Sequence, residues 1–262
     1  MSSRKQSLML RWYRDQARQF GLPTATALLF RVATSRIRVN ISNKLLPDLL
    51  SCPCCGWSGR RYYDYIEVGY TVPNAACPQC DSHPKHRQFF LWLTREYNLK
   101  DKTGVAVIFA PERAFDSVWE QMEGLRVFRV DYEKIRDVDA QVDLQQLGLA
   151  SDAIDFVWCH QVLEHIEDDL AAMRELNRIL RSGTGELVVS VPMVEALDTI
   201  EYGFADPKES GHWRIYGEDF ATKLEASGFE VKKVDFVIPE KEAIRFGTSD
   251  ESFYVCRKLH KK

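Results

Sequence analysis

Two cysteine pairs, Cys52 with Cys55 and Cys77 with Cys80, each enclose two residues, and 21 residues separate Cys55 from Cys77. A C-x-x-C turn is tight enough to aim backbone N–H groups at its sulfurs, and two such turns can close four thiolates around a tetrahedral zinc ion. Cys54 is left as a spare thiol, and His83 or His86 stays open as a replacement for one of the four. A second set of candidates stands at the ends of apolar runs. Asp131 follows residues 126–130, and a carboxylate closing the second strand of a nucleotide-binding fold can accept both ribose hydroxyls. His160 and Gln161 follow residues 156–159, at a strand's carboxyl end, where open α/β sheets place their ligands. His212, Arg214 and Tyr216 alternate along a third stretch. An imidazole there can serve as a general base and a guanidinium can pair with a carboxylate or phosphate. The same side chains can equally clamp a structural loop.

The elements that must position these groups are clearest between Asp155 and Pro192. Residues 156–159 and 187–191 are short apolar runs fit for buried parallel strands. Between them Leu170, Met173, Leu176 and Leu180 share one helical face, with Asp168 or Asp169 near the start and Gly183 past the end. Strand, helix and strand make a right-handed βαβ unit. Residues 105–109 read as a first buried strand and 126–130 as a second. Residues 193–217 read as a long irregular passage, residues 218–226 as a helix stopped by Gly228, and 229–237 and 252–257 as the last two strands. Near the N-terminus, residues 7–20 form an amphipathic helical pattern carrying Leu8, Trp12 and Phe20, and 24–37 a second helical patch. Residues 62–70 are aromatic and β-prone, as the hairpin between two metal knuckles would be.

The run Val162-Leu163-Glu164-His165-Ile166, then Arg174-Glu175-Leu176, Arg178-Ile179-Leu180 and the Gly183–Gly185 turn, resembles the fourth and fifth strands of class I S-adenosylmethionine (SAM)-dependent methyltransferases. It looks most like their type 11 branch. Where such enzymes carry a glycine-rich turn after the first strand, this chain has Ala110-Pro111-Glu112, a departure shared with members of the branch that bear a cysteine-rich N-terminal module. The resemblance implies an α/β fold: a Rossmann-like seven-stranded sheet with its last strand antiparallel, beside a small N-terminal zinc ribbon. It also implies SAM as cofactor, contacted by Ala110, Glu112 (at the ammonium), Asp131 (at the ribose), Asp143 and Leu144 (at the adenine) and His160. His212, Arg214 and Tyr216 match a His-x-Arg-x-Tyr segment that would form a lid or acceptor pocket, with His212 as catalytic base and Arg214 and Tyr216 on the substrate. Methyl transfer is an in-line displacement that needs alignment and desolvation more than a protein nucleophile, so no dense catalytic constellation is expected.

The expected division is a basic helical arm over residues 1–50, a zinc ribbon over 51–83 with structural Zn2+ on Cys52, Cys55, Cys77 and Cys80, and a methyltransferase-like domain over 84–262. Residues 1–50 hold nine Lys or Arg and two Asp, a net of +7; the whole chain is −3, so the remainder carries −3 − 7 = −10. An acidic body lacks the clustered cations of a broad nucleic-acid track. The basic arm reads either as a surface for an anionic membrane or a protein, or as packed helices with solvated arginines. Five of the seven cysteines fall between Cys52 and Cys80, which suits a metal site in a reducing compartment better than a disulfide framework. No apolar run approaches the roughly 18 residues of a membrane span, and arginines interrupt the N-terminal stretch, so no signal peptide is read there. The expected location is cytoplasmic, with peripheral contact at the inner face of a membrane. The expected function is methyl transfer to a small-molecule or glycan-type acceptor; the alternative is a non-catalytic protein that keeps the fold for binding and docks through its ribbon and arm.

Overall fold

The computed structural model describes residues 2–97, 99–133 and 138–259. The chain forms two compact units: Met1–Leu91 with Ile238–Ser249, and Trp92–Val237 with Asp250–Lys262.

The first unit begins with two helices, α1 (Ser2–Phe20) and α2 (Leu22–Leu45), broken at Gly21, whose φ of 85° and the following Pro23 stop the first and start the second. Two short hairpins follow, β1 (Leu50–Ser51) with β2 (Ser58–Gly59), and β3 (Tyr63–Ile66) with β4 (Thr71–Ala76). The unit boundary falls within α3 (Pro84–Arg95). The helix Glu240–Phe246 returns to this unit, and buried Arg87 explains how it is held. Arg87 Nε and Nη2 donate to Gly247 O at 3.1 and 2.7 Å, and Nη1 donates to Ala75 O at 3.0 Å and to Ser82 O. Its guanidinium lies 4.0 Å over the ring of Tyr62, whose hydroxyl donates to Ser51 O and Phe246 O. A buried cation is tolerable only when its donors are aimed at acceptors, as four of the five N–H groups are here.

The second unit carries the sheet: β5 (Gly104–Phe109), the short α4 (Asp116–Trp119), β6 (Leu125–Asp131), β7 (Ala140–Gln141), β8 (Phe156–His160), α5 (Asp169–Ile179), β9 (Glu186–Ser190), β10 (Ile200–Asp206), β11 (His212–Ile215), α6 (Phe220–Ala226), β12 (Phe229–Val234) and β13 (Phe253–Lys258). Seven of these strands align in the order β7-β6-β5-β8-β9-β13-β12, all parallel except β13, which runs antiparallel to both neighbours. This is the Rossmann-like methyltransferase sheet. Strands β8 and β9 are buried at every position, as their unbroken apolar runs require in the middle of a parallel sheet. The β8–α5–β9 crossover is present, and Asp168 caps α5 by accepting the Ala171 N–H at 2.8 Å. Its buried face is Ala172, Met173, Leu176 and Ile179, while Leu170 lies exposed in the first turn, one step outside the stripe expected for it. At the amino edge of β9, the buried Glu186 carboxylate accepts from Tyr97 Oη at 2.6 Å, Arg257 Nε and Nη2 at 2.9 and 2.6 Å, and Lys102 Nζ.

The passage after β9 is not irregular. Strands β10 and β11 pair antiparallel, with a register shift between Glu201 and Asp206 and left-handed Gly203, Ser210 and Gly211 shaping the bends. Mostly exposed strands have no alternation of polar and apolar residues to announce them.

Candidate functional site

Four adjacent strands of the second unit end together at the carboxyl edge of the sheet. Strand β6 ends at Asp131, β5 delivers Ala110, β8 ends at His160 and β9 at Ser190. Two residues there take a conformation that side-chain-bearing residues avoid: Ala110 has φ 45° and Gln161 has φ 54°. Each such backbone costs about 1–3 kcal/mol, and persists only where its surroundings hold it. They do so visibly, since the Ala110 N–H donates to Val130 O at 2.9 Å and the Gln161 N–H donates to Ser190 O at 2.9 Å. The turn without glycine therefore adopts a glycine-like geometry.

His160 is 3% exposed and lies at the centre of this edge. Its Nδ1 shares a hydrogen bond with Ser190 Oγ, the residue opposite it in the β8–β9 register. Its Nε2 lies 3.6 Å from Glu112 Oε2, and Phe115 meets the ring edge-on with centroids 6.0 Å apart. Asp131 is partly buried and accepts the Glu133 N–H at 3.3 Å through Oδ1. Asp143 is exposed, with its Oδ1 accepting from Gln145 N at 2.9 Å and Gln145 Nε2 at 3.3 Å. Leu144, by contrast, is buried in the apolar cluster with Val107, Phe109 and Val130. Carboxylates at the first and second strand ends and a strained backbone turn fit the polar parts of an amino-acid nucleoside such as SAM.

The hairpin β10–β11 is tied to the loop that follows β8. Arg214 is 3% exposed. Its Nε donates to Glu201 Oε1 and Oε2 at 3.0 and 2.9 Å, its Nη1 to Leu163 O at 3.3 Å and to Ile166 O, and its Nη2 to Glu167 O at 2.6 Å. Asp169 Oδ2 lies 3.7 Å from Arg214 Nε, and also accepts from Tyr216 Oη at 2.9 Å. Burial opposes the charge of Arg214, but Asp169, Tyr216 and Glu201 together hold its pKa above the ordinary value. Burial, aided by the Asp169 charge, pushes the Tyr216 phenol well above its usual range. The polar atoms of both side chains are engaged within the fold, as a clamp. His212 is half-buried next to His165, the two rings meeting edge-on with centroids 4.7 Å apart, and both lie beside the buried carboxylate of Glu164.

In the first unit the cysteines converge. The Sγ atoms of Cys52, Cys55, Cys77 and Cys80 all lie within 4.8 Å of one another, with Cys52–Cys80 and Cys55–Cys77 each at 3.7 Å. A tetrahedral ion with metal–sulfur bonds of about 2.3 Å sets sulfur–sulfur edges of about 3.8 Å. The two knuckles repeat one turn. Gly56 N donates to Cys52 O and Asp81 N to Cys77 O, both at 2.9 Å, and Gly56 and Asp81 both take left-handed φ, 74° and 65°. Cys54 is a fifth thiol beside the four: its Sγ is within hydrogen-bonding reach of Cys52 and Cys80 and lies 4.0 Å from His86 O.

The fold and the edge geometry define a Rossmann-like α/β protein of the methyltransferase type. Residues 113–189 match the methyltransferase domain family, 189 − 113 + 1 = 77 residues of the 262. Comparison with curated proteins by sequence gives no match. Among solved structures, the cyclase SpnF superposes with a TM-score of 0.50 at 19% identity, covering 67% of this chain and 82% of its own. A SAM-dependent methyltransferase from Archaeoglobus fulgidus gives 0.46 at 15% identity, over 65% and 92% of the two chains. Phosphoethanolamine N-methyltransferase 2 from Haemonchus contortus, in complex with SAM, gives 0.41 at 15%, over 61% and 50%. The domain match and the sheet support a class I methyltransferase.

Sequence reasoning did not find Ser190, the partner of His160, or the meeting of Glu164 and His165 with His212. The first was accessible in principle, because parallel strands of equal length bring their last residues side by side. The second depends on a hairpin with no periodic signal.

Proposed function

We propose that the protein transfers a methyl group from SAM to a small-molecule or glycan-type acceptor. The observation that carries this reading is the carboxyl edge, where Ala110, Asp131 and His160 close three adjacent strands around two strained backbone positions. SAM, when bound, supplies a methyl carbon activated by a sulfonium. Asp131 would hold the ribose, Glu112 the ammonium, and the Ala110 backbone turn would leave room for the chain between them. Asp143 would meet the adenine amine, while buried Leu144 backs that side from the core. His160, fixed by Ser190, would orient Glu112. On the acceptor side, Arg214 and Tyr216 act as positioning residues that hold the hairpin over the loop after β8 and exclude water. His212, with His165 beside it, would take the proton that leaves the acceptor. The fold alone does not choose the chemistry, since a cyclase shares it.

The four sulfurs would hold structural Zn2+, which stabilises a small segment too short to build a core of its own. The arm would rest on an anionic membrane surface. Supporting this, α2 exposes Phe30 at 70%, Ile37 at 58%, Ile41 at 52% and Leu45 at 76%, a stripe at helical spacing flanked by Arg31, Arg38 and Lys44. Among the described residues no helix is long and apolar enough to cross a membrane. Vesicles with anionic lipid should sediment the protein and Ile37→Asp/Ile41→Asp should abolish this; equal sedimentation of the variant would remove α2 from the contact. Methyl transfer is tested by incubating the protein with SAM labelled on the methyl group and a cell extract. Label should move into a small-molecule or glycan fraction, and label found only in protein or nucleic acid would overturn the acceptor class.

A further inference from the structure

Glu164, His165 and His212 are drawn together from two separate elements. Glu164 and His165 are consecutive in the single 3-10 turn Leu163–His165, closed by the His165 N–H to Val162 O at 3.0 Å. His212 opens β11, just past the left-handed pair Ser210 and Gly211. One carboxylate oxygen and one ring nitrogen from each histidine all lie within 4.8 Å of one another. The two imidazoles are nearly perpendicular, at 81°. We propose that these three side chains form a second divalent metal site, for an ion of the zinc class, distinct from the four-cysteine centre.

The chemistry of the donor set favours such an ion. Two imidazoles and one carboxylate are the ligands of open catalytic zinc sites, which keep a position for water or substrate. Glu164 is fully buried. A buried carboxylate beside two imidazoles is a ligand set suited to a divalent cation. Metal–ligand bonds of about 2.0–2.2 Å set such donors about 3.4 Å apart around a tetrahedral ion. His165 is exposed, so its side chain can adjust to meet the ion.

The scaffold is fixed by the clamp already described. Arg214 stands two residues beyond His212, hence on the same face of β11. Its guanidinium donates to the carbonyls of Leu163, Ile166 and Glu167, on either side of Glu164 and His165. The strand bearing one ligand and the turn bearing two are therefore locked in register by a buried cation, and Asp169 and Glu201 balance its charge.

The consequence for catalysis rests on the reading of this edge as the acceptor side of a methyltransferase. With metal seated, His212 is a ligand rather than a base. An acceptor hydroxyl bound at the open position would have its pKa lowered. Its proton passes to water and its oxygen attacks the methyl carbon. The carbon–sulfur bond breaks with its electron pair going to sulfur, leaving a neutral thioether and a methyl ether.

The test is zinc stoichiometry on the full chain, dialysed against micromolar Zn2+, with the titration of S-adenosylhomocysteine (SAH) run on the same samples. Wild type should hold close to two zinc ions per chain, of which one is lost to mild chelation. His165→Ala changes an exposed residue and should weaken the second site at least tenfold; His165→Ala/His212→Ala should leave one ion. Cys77→Ser should lose the other ion and keep the chelatable one. With Co2+ in place of Zn2+, the second site should show ligand-field absorption without the thiolate charge-transfer bands of the cysteine centre. A single zinc in wild type, or two retained in the double histidine variant, overturns the site. SAH binding without a second zinc sinks this inference alone; a second zinc without SAH binding sinks the methyl-transfer reading alone.

Discussion

Replacing Arg214 with methionine removes a guanidinium and leaves an apolar side chain of similar length in its place. The structure gives the size of the effect. The carbonyls of Leu163, Ile166 and Glu167 lose charged donors, and each acceptor left buried costs about 1–3 kcal/mol. Asp169 loses its neighbour at 3.7 Å but keeps Tyr216 Oη at 2.9 Å and Lys223 Nζ at 3.6 Å. Glu201, with its side chain 49% exposed, rehydrates and contributes little. Breaking a buried charge pair on one side typically costs 3–5 kcal/mol, and with these reliefs the lower end, about 3 kcal/mol, is expected. For a unit of this size each kcal/mol moves Tm by about 2–4 °C, so Arg214→Met should lower it by about 6–12 °C. Arg214→Lys keeps the charge but not the fork of donors, and should fall between the variant and wild type. Thermal unfolding followed by circular dichroism measures all three. A Tm for Arg214→Met within two degrees of wild type would refute the reasoning, because it would mean that the clamp holds nothing in place.

Two further outcomes follow from the sheet edges. Ala110→Gly should raise stability by about 0.5–1 kcal/mol, read from urea unfolding, since a left-handed alanine costs about 1–2 kcal/mol and glycine returns part of that as unfolded-state entropy; a destabilised variant would show that the methyl group packs rather than strains. Burial alone would raise the pKa of Glu186, but Lys102, Tyr97 and Arg257 outweigh it and hold the pKa below the ordinary glutamate value. Its contribution is thus present above about pH 4.3, the unfolded value, and is lost as pH falls through the folded pKa. Glu186→Gln should be less stable than wild type at pH 7 and lose less stability between pH 7 and acid; parallel pH curves would contradict this.

The sheet was legible in sequence because its central strands are buried on both faces and its crossover helix carries a 3.6-residue stripe with a capping aspartate. The convergence of four cysteines was legible because two C-x-x-C turns repeat one residue type at one spacing. The β10–β11 hairpin was not, since mostly exposed strands bury too little to impose a pattern, and with it went the neighbours of His212. Nor did any local signal mark the return of Glu240–Phe246 to the first unit, which depends on Arg87 and Tyr62, residues more than 150 positions upstream. At the carboxyl edge, the apolar runs placed Asp131 and His160 at strand ends, but the left-handed backbone of Ala110 is invisible in a residue that usually avoids it. Arg214 has a residue type that suits a ligand as well as a clamp, and only its partners tell the two apart.

The central claim is that the carboxyl edge binds the methyl donor. Isothermal titration of the intact protein with SAH tests it directly. One site per chain is predicted, and Asp131→Ala should weaken it at least tenfold, about 1.4 kcal/mol. No heat at millimolar SAH, or an affinity unchanged in Asp131→Ala, would contradict it.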